Sequence, residues 1–173
     1  MESLQEWLYY FFYVVEKNEI IFKMNYKILP NQLLLKNGKI IDPLFDKIYK
    51  GDILIDNGRI ENPSKQTKKT KIIDCSGKII THGFCDLHSH FREPGREDKE
   101  TLESGSLSAM AGGFTRVCVM PNTNPPIDTP ELIDFILKKS EKYPLHIHPI
   151  GAVTKNQNGK NLTEMGLMSK QGA

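Results

Sequence analysis

From Phe84 onward, short runs of β-forming residues and stretches of helical periodicity take turns, and this rhythm limits the possible folds more than any other feature of the sequence. Phe84 to Leu87 reads as a strand, and Thr101 to Ala111 as a helix with Leu102, Ala109 and Met110 toward one side, ended by Gly112-Gly113. Thr115 to Met120 (TRVCVM) is rich in β formers. Thr129 then caps a helix with Pro130 in its first turn, and Leu132, Ile133, Ile136 and Leu137 carry the helical spacing. Leu145 to Ile150 (LHIHPI) reads as a further strand, and Asn161 with Glu164, at capping-box spacing, opens a helix that includes Met165 and Met168. Strands that alternate with helices run parallel, because each helix returns the chain to the start of the next strand. The pattern predicts an α/β fold of about three βα units, its sheet covered by helices.

Upstream the punctuation differs. Leu33 to Leu35, Asn37-Gly38 and Lys39 to Ile41 predict a hairpin, since Asn and Gly tolerate the positive φ of a type I′ turn. The same device recurs at Asn57-Gly58, between Asp52 to Ile55 and Arg59-Ile60, and at Ser76-Gly77, between Lys71 to Asp74 and Lys78 to Ile80. Three segments are expected: an aromatic-rich extension over 1–31, a small β module over 32–80, and the βα region over 81–173. Within the extension, Trp7 to Val15 (WLYYFFYVV) is far shorter than the ~20 residues of a transmembrane helix, and the glutamates around it do not suit a signal peptide. The readings open for it are an amphipathic or buried helix, an extension of little consequence, or an interfacial anchor, the last weakened by the lack of a basic face.

Composition excludes one class of partner. Lys and Arg total 23 against 21 for Asp and Glu, a net charge of +2, so no bulk field favours nucleic acid. The basic stretch Ser64 to Lys71 has no interleaved aromatic residues and reads as a solvated loop. Cys75, Cys85 and Cys118 form no CxxC pair, which fits a reducing, cytoplasmic setting.

The chemistry-bearing residues gather after the first βα strand. In extended chain, side-chain direction repeats every second residue, so His88 and His90 can offer imidazole nitrogens to one metal ion. Asp86 shares their parity, as a second-shell orienter, a further oxygen ligand, or a carboxylate satisfied by backbone donors. Arg92 places a guanidinium beside the same point, suited to a substrate carboxylate; its competing role is a local bridge to Glu93. After the second strand, Asn122 in Met120-Pro121-Asn122-Thr123 could bond a bound ring or serve as a turn cap. His146 and His148 lie within the third strand, where packing competes with ligation, and are left out of the metal shell.

The series from Gly83 to Gly95 (GFCDLHSHFREPG), then Lys99-Glu100-Thr101, Ser104-Gly105, Ala111 to Thr115 and Met120 to Thr123, resembles bacterial-type dihydroorotases, and Gly151 to Lys155 and Leu162 to Gly166 are similar too. The resemblance covers about residues 32–173. It implies the start of a metal-dependent hydrolase TIM barrel, incomplete in this chain, preceded by a small β-sandwich-like module. It implies that His88 and His90 bind metal, with one or two zinc ions in the complete enzyme, and that Arg92 and Asn122 bind the substrate carboxylate and ring. The implied reaction interconverts dihydroorotate and N-carbamoyl-L-aspartate in pyrimidine synthesis, and the implied partners are a second copy or aspartate transcarbamoylase.

Two departures matter. His82 stands where the family usually has proline before Gly83. The family draws a bridging carboxylate or carboxylated lysine, two further metal histidines and a catalytic aspartate from later barrel strands, and no matching motif occurs before Ala173; Lys155 does not occupy the bridging position. No general acid or base is assigned, and the 173-residue chain alone is expected to be inactive. The rivals are a hydantoinase-like or allantoinase-like hydrolase and a noncatalytic remnant or scaffold; Arg92 with Asn122 favours an acidic ring.

Overall fold

The computed structural model describes residues 31–173 throughout, together with the backbone of two short strands at 12–16 and 19–20. The chain divides into two compact units, Met1–Gly83 and Phe84–Ala173.

Among its described residues, the first unit is all β apart from a short 3₁₀ turn at Pro63–Lys65. Its strands are β1 (Phe12–Glu16), β2 (Glu19–Ile20), β3 (Gln32–Asp42), β4 (Lys47–Asp56), β5 (Arg59–Glu61), β6 (Lys71–Asp74) and β7 (Ile79–His82). They form one sandwich-like, seven-stranded sheet in the order β2-β1-β7-β3-β4-β5, with β6 also on β3. Leu33, Leu35, Ile40, Ile53, Cys75 and Ile80 make its core. The Asn57-Gly58 hairpin forms as expected: β4 and β5 pair antiparallel up to Asp56 opposite Arg59, and φ is +47° at Asn57 and +78° at Gly58.

Three expectations change here. Asn37-Gly38 does not turn the chain. β3 runs straight through it, with Leu35 opposite Ile53 and Gly38 opposite Gly51, so two residues of β3 face one of β4. This is a β-bulge, and the positive φ of Asn37 (63°) serves it, with Asp52 Oδ1 accepting from the Asn37 N–H at 2.8 Å. Both halves of the presumed hairpin pair with β4, which offers a longer ladder than they could offer each other. At Ser76-Gly77 the Lys78 N–H does bond Cys75 O at 2.9 Å, yet β6 and β7 both run parallel to β3, along its successive halves, so the chain is kinked and not reversed. Residues 12–16, for which a helix was one reading, are extended and pair antiparallel with β7. Trp7 to Phe11, the rest of that aromatic run, lies outside the described residues.

The second unit follows the expected rhythm: β8 (Phe84–Ser89), α1 (Leu102–Ala111), β9 (Phe114–Val119), α2 (Pro130–Ser140), β10 (His146–Pro149) and α3 (Met165–Gln171). The three strands are parallel in the order β10-β9-β8, an open sheet with no barrel closed among the described residues. Thr101 and Ser104 cap α1 reciprocally, each hydroxyl accepting from the other's backbone N–H at 3.0 Å. Thr129 caps α2, its hydroxyl accepting from Leu132 N at 3.4 Å, with Pro130 in the first turn. Leu102, Val117, Val119, Ile133, Ile136, Ile147 and Met168 form the core between sheet and helices. Burying each such side chain contributes roughly 1.5–3 kcal/mol.

The third helix contains Met165 and Met168 as expected, but the Asn161–Glu164 capping box is not made: Glu164 is the N-cap residue and gives no side-chain cap. Residues just before the helix are committed elsewhere. Thr154 bridges Leu162, the Thr163 N–H bonds Val153 O at 3.1 Å, and the Thr163 hydroxyl donates to Ala152 O at 2.7 Å. This pairing holds 162–163 extended and delays the helix. Among the described residues, no helix is long and apolar enough to cross a membrane.

Candidate active site

His88 lies near the C-terminal end of β8 and His90 just beyond it, while Asn122 lies just past the end of the neighbouring strand β9. A parallel sheet delivers loops to this edge from every strand, which is why α/β enzymes assemble their sites there. The β8 ladder extends one step past the strands, with the Met120 N–H on Ser89 O at 2.9 Å, and the two following loops are tied by the Asn124 N–H on Pro94 O at 3.0 Å.

The two imidazoles converge. His88 Nε2 and His90 Nε2 stand 3.2 Å apart, and the rings meet edge to face with centroids 5.0 Å apart. Two nitrogens each ~2.05 Å from a tetrahedral ion lie roughly 3.3 Å from one another, so the spacing suits joint ligation. The other nitrogen of His90 is engaged: Nδ1 sits 2.9 Å from Asn122 Oδ1, an acceptor, which assigns the Nδ1–H tautomer and leaves the Nε2 lone pair available. Both histidines are exposed.

Asp86 turns its carboxylate to local donors. Oδ1 accepts from the His88 N–H at 3.0 Å, and Oδ2 accepts from the Ser89 hydroxyl at 2.5 Å. These bonds, the Ser89 hydroxyl foremost and then the His88 N–H, hold its pKa below the ordinary carboxylate value. Arg92 is half-buried and forms no ion pair among the described residues. The bridge to Glu93 considered above does not form, because Glu93 is buried at 3% exposure with one oxygen on Lys139 Nζ and the other on the Leu102 N–H. His146 and His148 lie side by side with Arg116 and Cys118, to which β10 is registered on β9. The Arg116 guanidinium stands 3.4 Å from His148 Nε2, and burial first, then Arg116, pushes the His148 imidazole below its ordinary pKa.

Sequence reasoning missed the contact between His90 and Asn122 and the pairing of Glu93 with Lys139. Each joins residues far apart in the chain, and no local spacing rule reports such pairs. Among the described residues, no group of three or more His, Cys, Asp or Glu side chains could hold a metal ion, so the histidine pair stands without further ligands of those types.

A parallel βα sheet with paired histidines at its C-terminal edge, in a chain that also carries a β module, fits the amidohydrolase superfamily, whose members are metal-dependent hydrolases. Within it, the sequence pattern described as dihydro-orotase-like matches residues 77–173, and the chain belongs to that family. It is 47% identical over 150 residues to the dihydroorotase of Caldicellulosiruptor saccharolyticus, covering 82% of this chain and 34% of that protein. The dihydroorotase of Sulfurihydrogenibium sp. is 46% identical over 145 residues, with the same coverage. The chain therefore spans about a third (34%) of the length of these curated relatives. Among solved structures, the L-hydantoinase of Arthrobacter aurescens superposes with a TM-score of 0.62 at 24% identity, over 70% of this chain and 28% of that one, a likeness of fold. The D-hydantoinase of a Thermus species gives 0.57 at 29% identity, over 80% and 30%.

Proposed function

We propose that this chain supplies part of the metal site and the substrate grip of a zinc-dependent cyclic amide hydrolase that interconverts dihydroorotate and N-carbamoyl-L-aspartate. The observation that carries the reading is the convergence of His88 Nε2 and His90 Nε2, with the His90 tautomer fixed by Asn122. When bound there, zinc would supply a water of lowered pKa and an electrophile for the scissile carbonyl. His88 and His90 would hold the ion. Asp86 orients the strand end by accepting the His88 N–H. Arg92, with its charge uncommitted to any described ion pair, holds the exocyclic carboxylate through paired charge-assisted bonds, and Asn122 borders the ring while it holds His90.

Identity of 47% to a dihydroorotase favours this substrate over a hydantoin, although hydantoinases share the fold. The domain division at 1–31, 32–80 and 81–173, a cytoplasmic location, and association with a second copy or with aspartate transcarbamoylase belong to the same proposal. Turnover requires metal ligands and a proton-transferring carboxylate beyond those the described residues bring together.

Calorimetric zinc titration of the 173-residue chain, with ring opening and closure followed in parallel, tests the reading. Zinc uptake should be abolished or weakened at least about tenfold in His88→Ala and in His90→Ala. Turnover should stay well below the roughly 1 per second of ordinary enzymes. Undiminished zinc uptake by the double variant would remove the pair from the metal shell. Fast zinc-dependent turnover by the monomeric chain would show that these 173 residues already carry a complete catalytic set.

A further inference from the structure

The least expected side chain in the second unit is Glu93, a carboxylate only 3% exposed in the loop that leaves the histidine pair. Charged groups are seldom buried this far unless specific partners compensate them. Glu93 has two, and they come from different helices. One oxygen accepts from the Leu102 N–H at 2.8 Å, at the first turn of α1, where backbone donors lack intrahelical partners and the helix dipole favours an anion. The other accepts from the Lys139 ammonium, near the end of α2.

The loop around it is pinned on both sides. Phe91, 7% exposed, packs against Gly105 of α1, where any added Cβ would collide with its ring. Gly95 has φ +92° and lies so close to the Asn124 backbone that a Cβ there would overlap the Asn124 carbonyl. Exposure alternates over 90–93: His90 exposed, Phe91 buried, Arg92 half-buried, Glu93 buried. The buried pair thus fixes the backbone from which His90 and Arg92 project. A greasy residue at 93 would fill space, but a carboxylate shared between the Leu102 N–H and Lys139 also fixes direction, because each oxygen has its own partner.

We infer that Glu93 and Lys139 form a latch that sets the loop bearing His90 and Arg92, which makes Lys139, on helix α2, a positioning residue for the candidate site. This rests on the metal-site reading above only for its functional consequence; the latch itself stands on the contacts just described.

The test uses Lys139, because its side chain is 41% exposed and Lys139→Met keeps most of its apolar stem while removing the charge. Without the ammonium, the Glu93 carboxylate keeps a single partner in a buried place, and the loop must shift to relieve it. Two readouts at fixed pH are compared in the full chain: the ring ¹⁵N resonances of His90 without metal, and zinc affinity by calorimetry. Lys139→Met should move the His90 ring signals and weaken zinc by about tenfold or more, the scale for losing a partner outside the ligand shell, and Lys139→Arg should restore both to within about twofold. A lowered melting temperature in Lys139→Met, with His90 signals and zinc affinity as in the parent, would reduce the pair to a structural bridge and overturn the latch. Equal damage from Lys139→Arg and Lys139→Met would overturn it as well. If the parent chain takes up no zinc, the metal-site reading fails by itself, and the His90 signals still decide: moved by Lys139→Met they support the latch, unmoved they sink it.

Discussion

On the helix side of the parallel sheet, β9 and β10 present Val117, Val119 and Ile147, at 1%, 1% and 5% exposure, whereas on the other side the same two strands present Arg116, Cys118, His146 and His148. One backbone ladder carries both sets, since alternate residues of a strand point to opposite faces. The apolar face is closed by Leu102, Ile133, Ile136 and Met168 from the helices and makes the core of this unit. The polar face is held by contacts of another kind, such as Arg116 beside His148 and the thiols of Cys85 and Cys118 beside one another. Stability and chemistry are thereby separated within a few ångströms. The helix side fixes where the strands end, and the candidate site is built from what those ends deliver.

The largest effect that could break this comparison is the loss of a core side chain. Ile136 is fully buried, and Ile136→Ala should cost about 2–5 kcal/mol through lost transfer energy and the cavity left behind. Cys118→Ala, on the half-buried opposite face, should cost under about 1 kcal/mol. Urea unfolding of both variants, with unchanged m-values, measures the contrast. Similar losses from the two would mean that both faces are equally structural.

A smaller effect sharpens it at the helix ends. Thr129 makes a side-chain cap and Asn161 does not, although the sequence predicts both. Thr129→Ala should therefore cost about 1 kcal/mol. Asn161→Ala should stay within about 0.5 kcal/mol, the range for surface positions without a special role. A cost for Asn161→Ala as large as that for Thr129→Ala would show that the expected capping box forms in solution.

These pairs also show what was legible in the sequence. The βα rhythm was readable because most of its elements announce themselves locally, by the capping Thr129, by Pro130 in the first turn, or by the β formers of Thr115 to Met120. The Asn57-Gly58 hairpin was readable for the same reason. Asn37-Gly38 has identical local chemistry, but whether positive φ makes a turn or a bulge depends on which strand lies alongside, and β4 is supplied by later residues. The Asn161–Glu164 spacing was overruled in the same way by the bridge from Thr154 to Leu162. In the candidate site, the facing of His88 and His90 follows from strand parity, whereas the grip of Asn122 on His90 and of Lys139 on Glu93 spans 32 residues in the first case and a separate helix in the second. No periodicity carries information across such distances.

The smallest effect expected is a pH dependence seated on the polar face. Burial first, and then the neighbouring Arg116 charge, push His148 below the ordinary imidazole value of 6.5, and partial desolvation, Arg116 and His148 push the more exposed His146 the same way. A histidine whose pKa is lower when folded than when unfolded binds fewer protons in the native state over the interval between the two values. Stability from this source is thus fully present above about pH 6.5 and declines as pH falls from there toward the folded value. Asp86 has the same sign in a different window. Its pKa is lowered from 3.8 by Ser89 and the His88 N–H, so its contribution is intact above that value and is lost only as pH falls through the folded one. Urea midpoints between pH 7.5 and 5 therefore isolate the imidazoles. The parent chain should lose stability on acidification through that range, and His146→Gln/His148→Gln should lose less, because His82, His88 and His90 remain in both proteins and cancel from the difference. Arg116→Met should give an intermediate slope, since it removes the charge but leaves the burial that is the first cause of the shift. Identical slopes in the parent and the double variant would mean that the polar face has no electrostatic strain to release, and that its contrast with the helix side is one of packing alone.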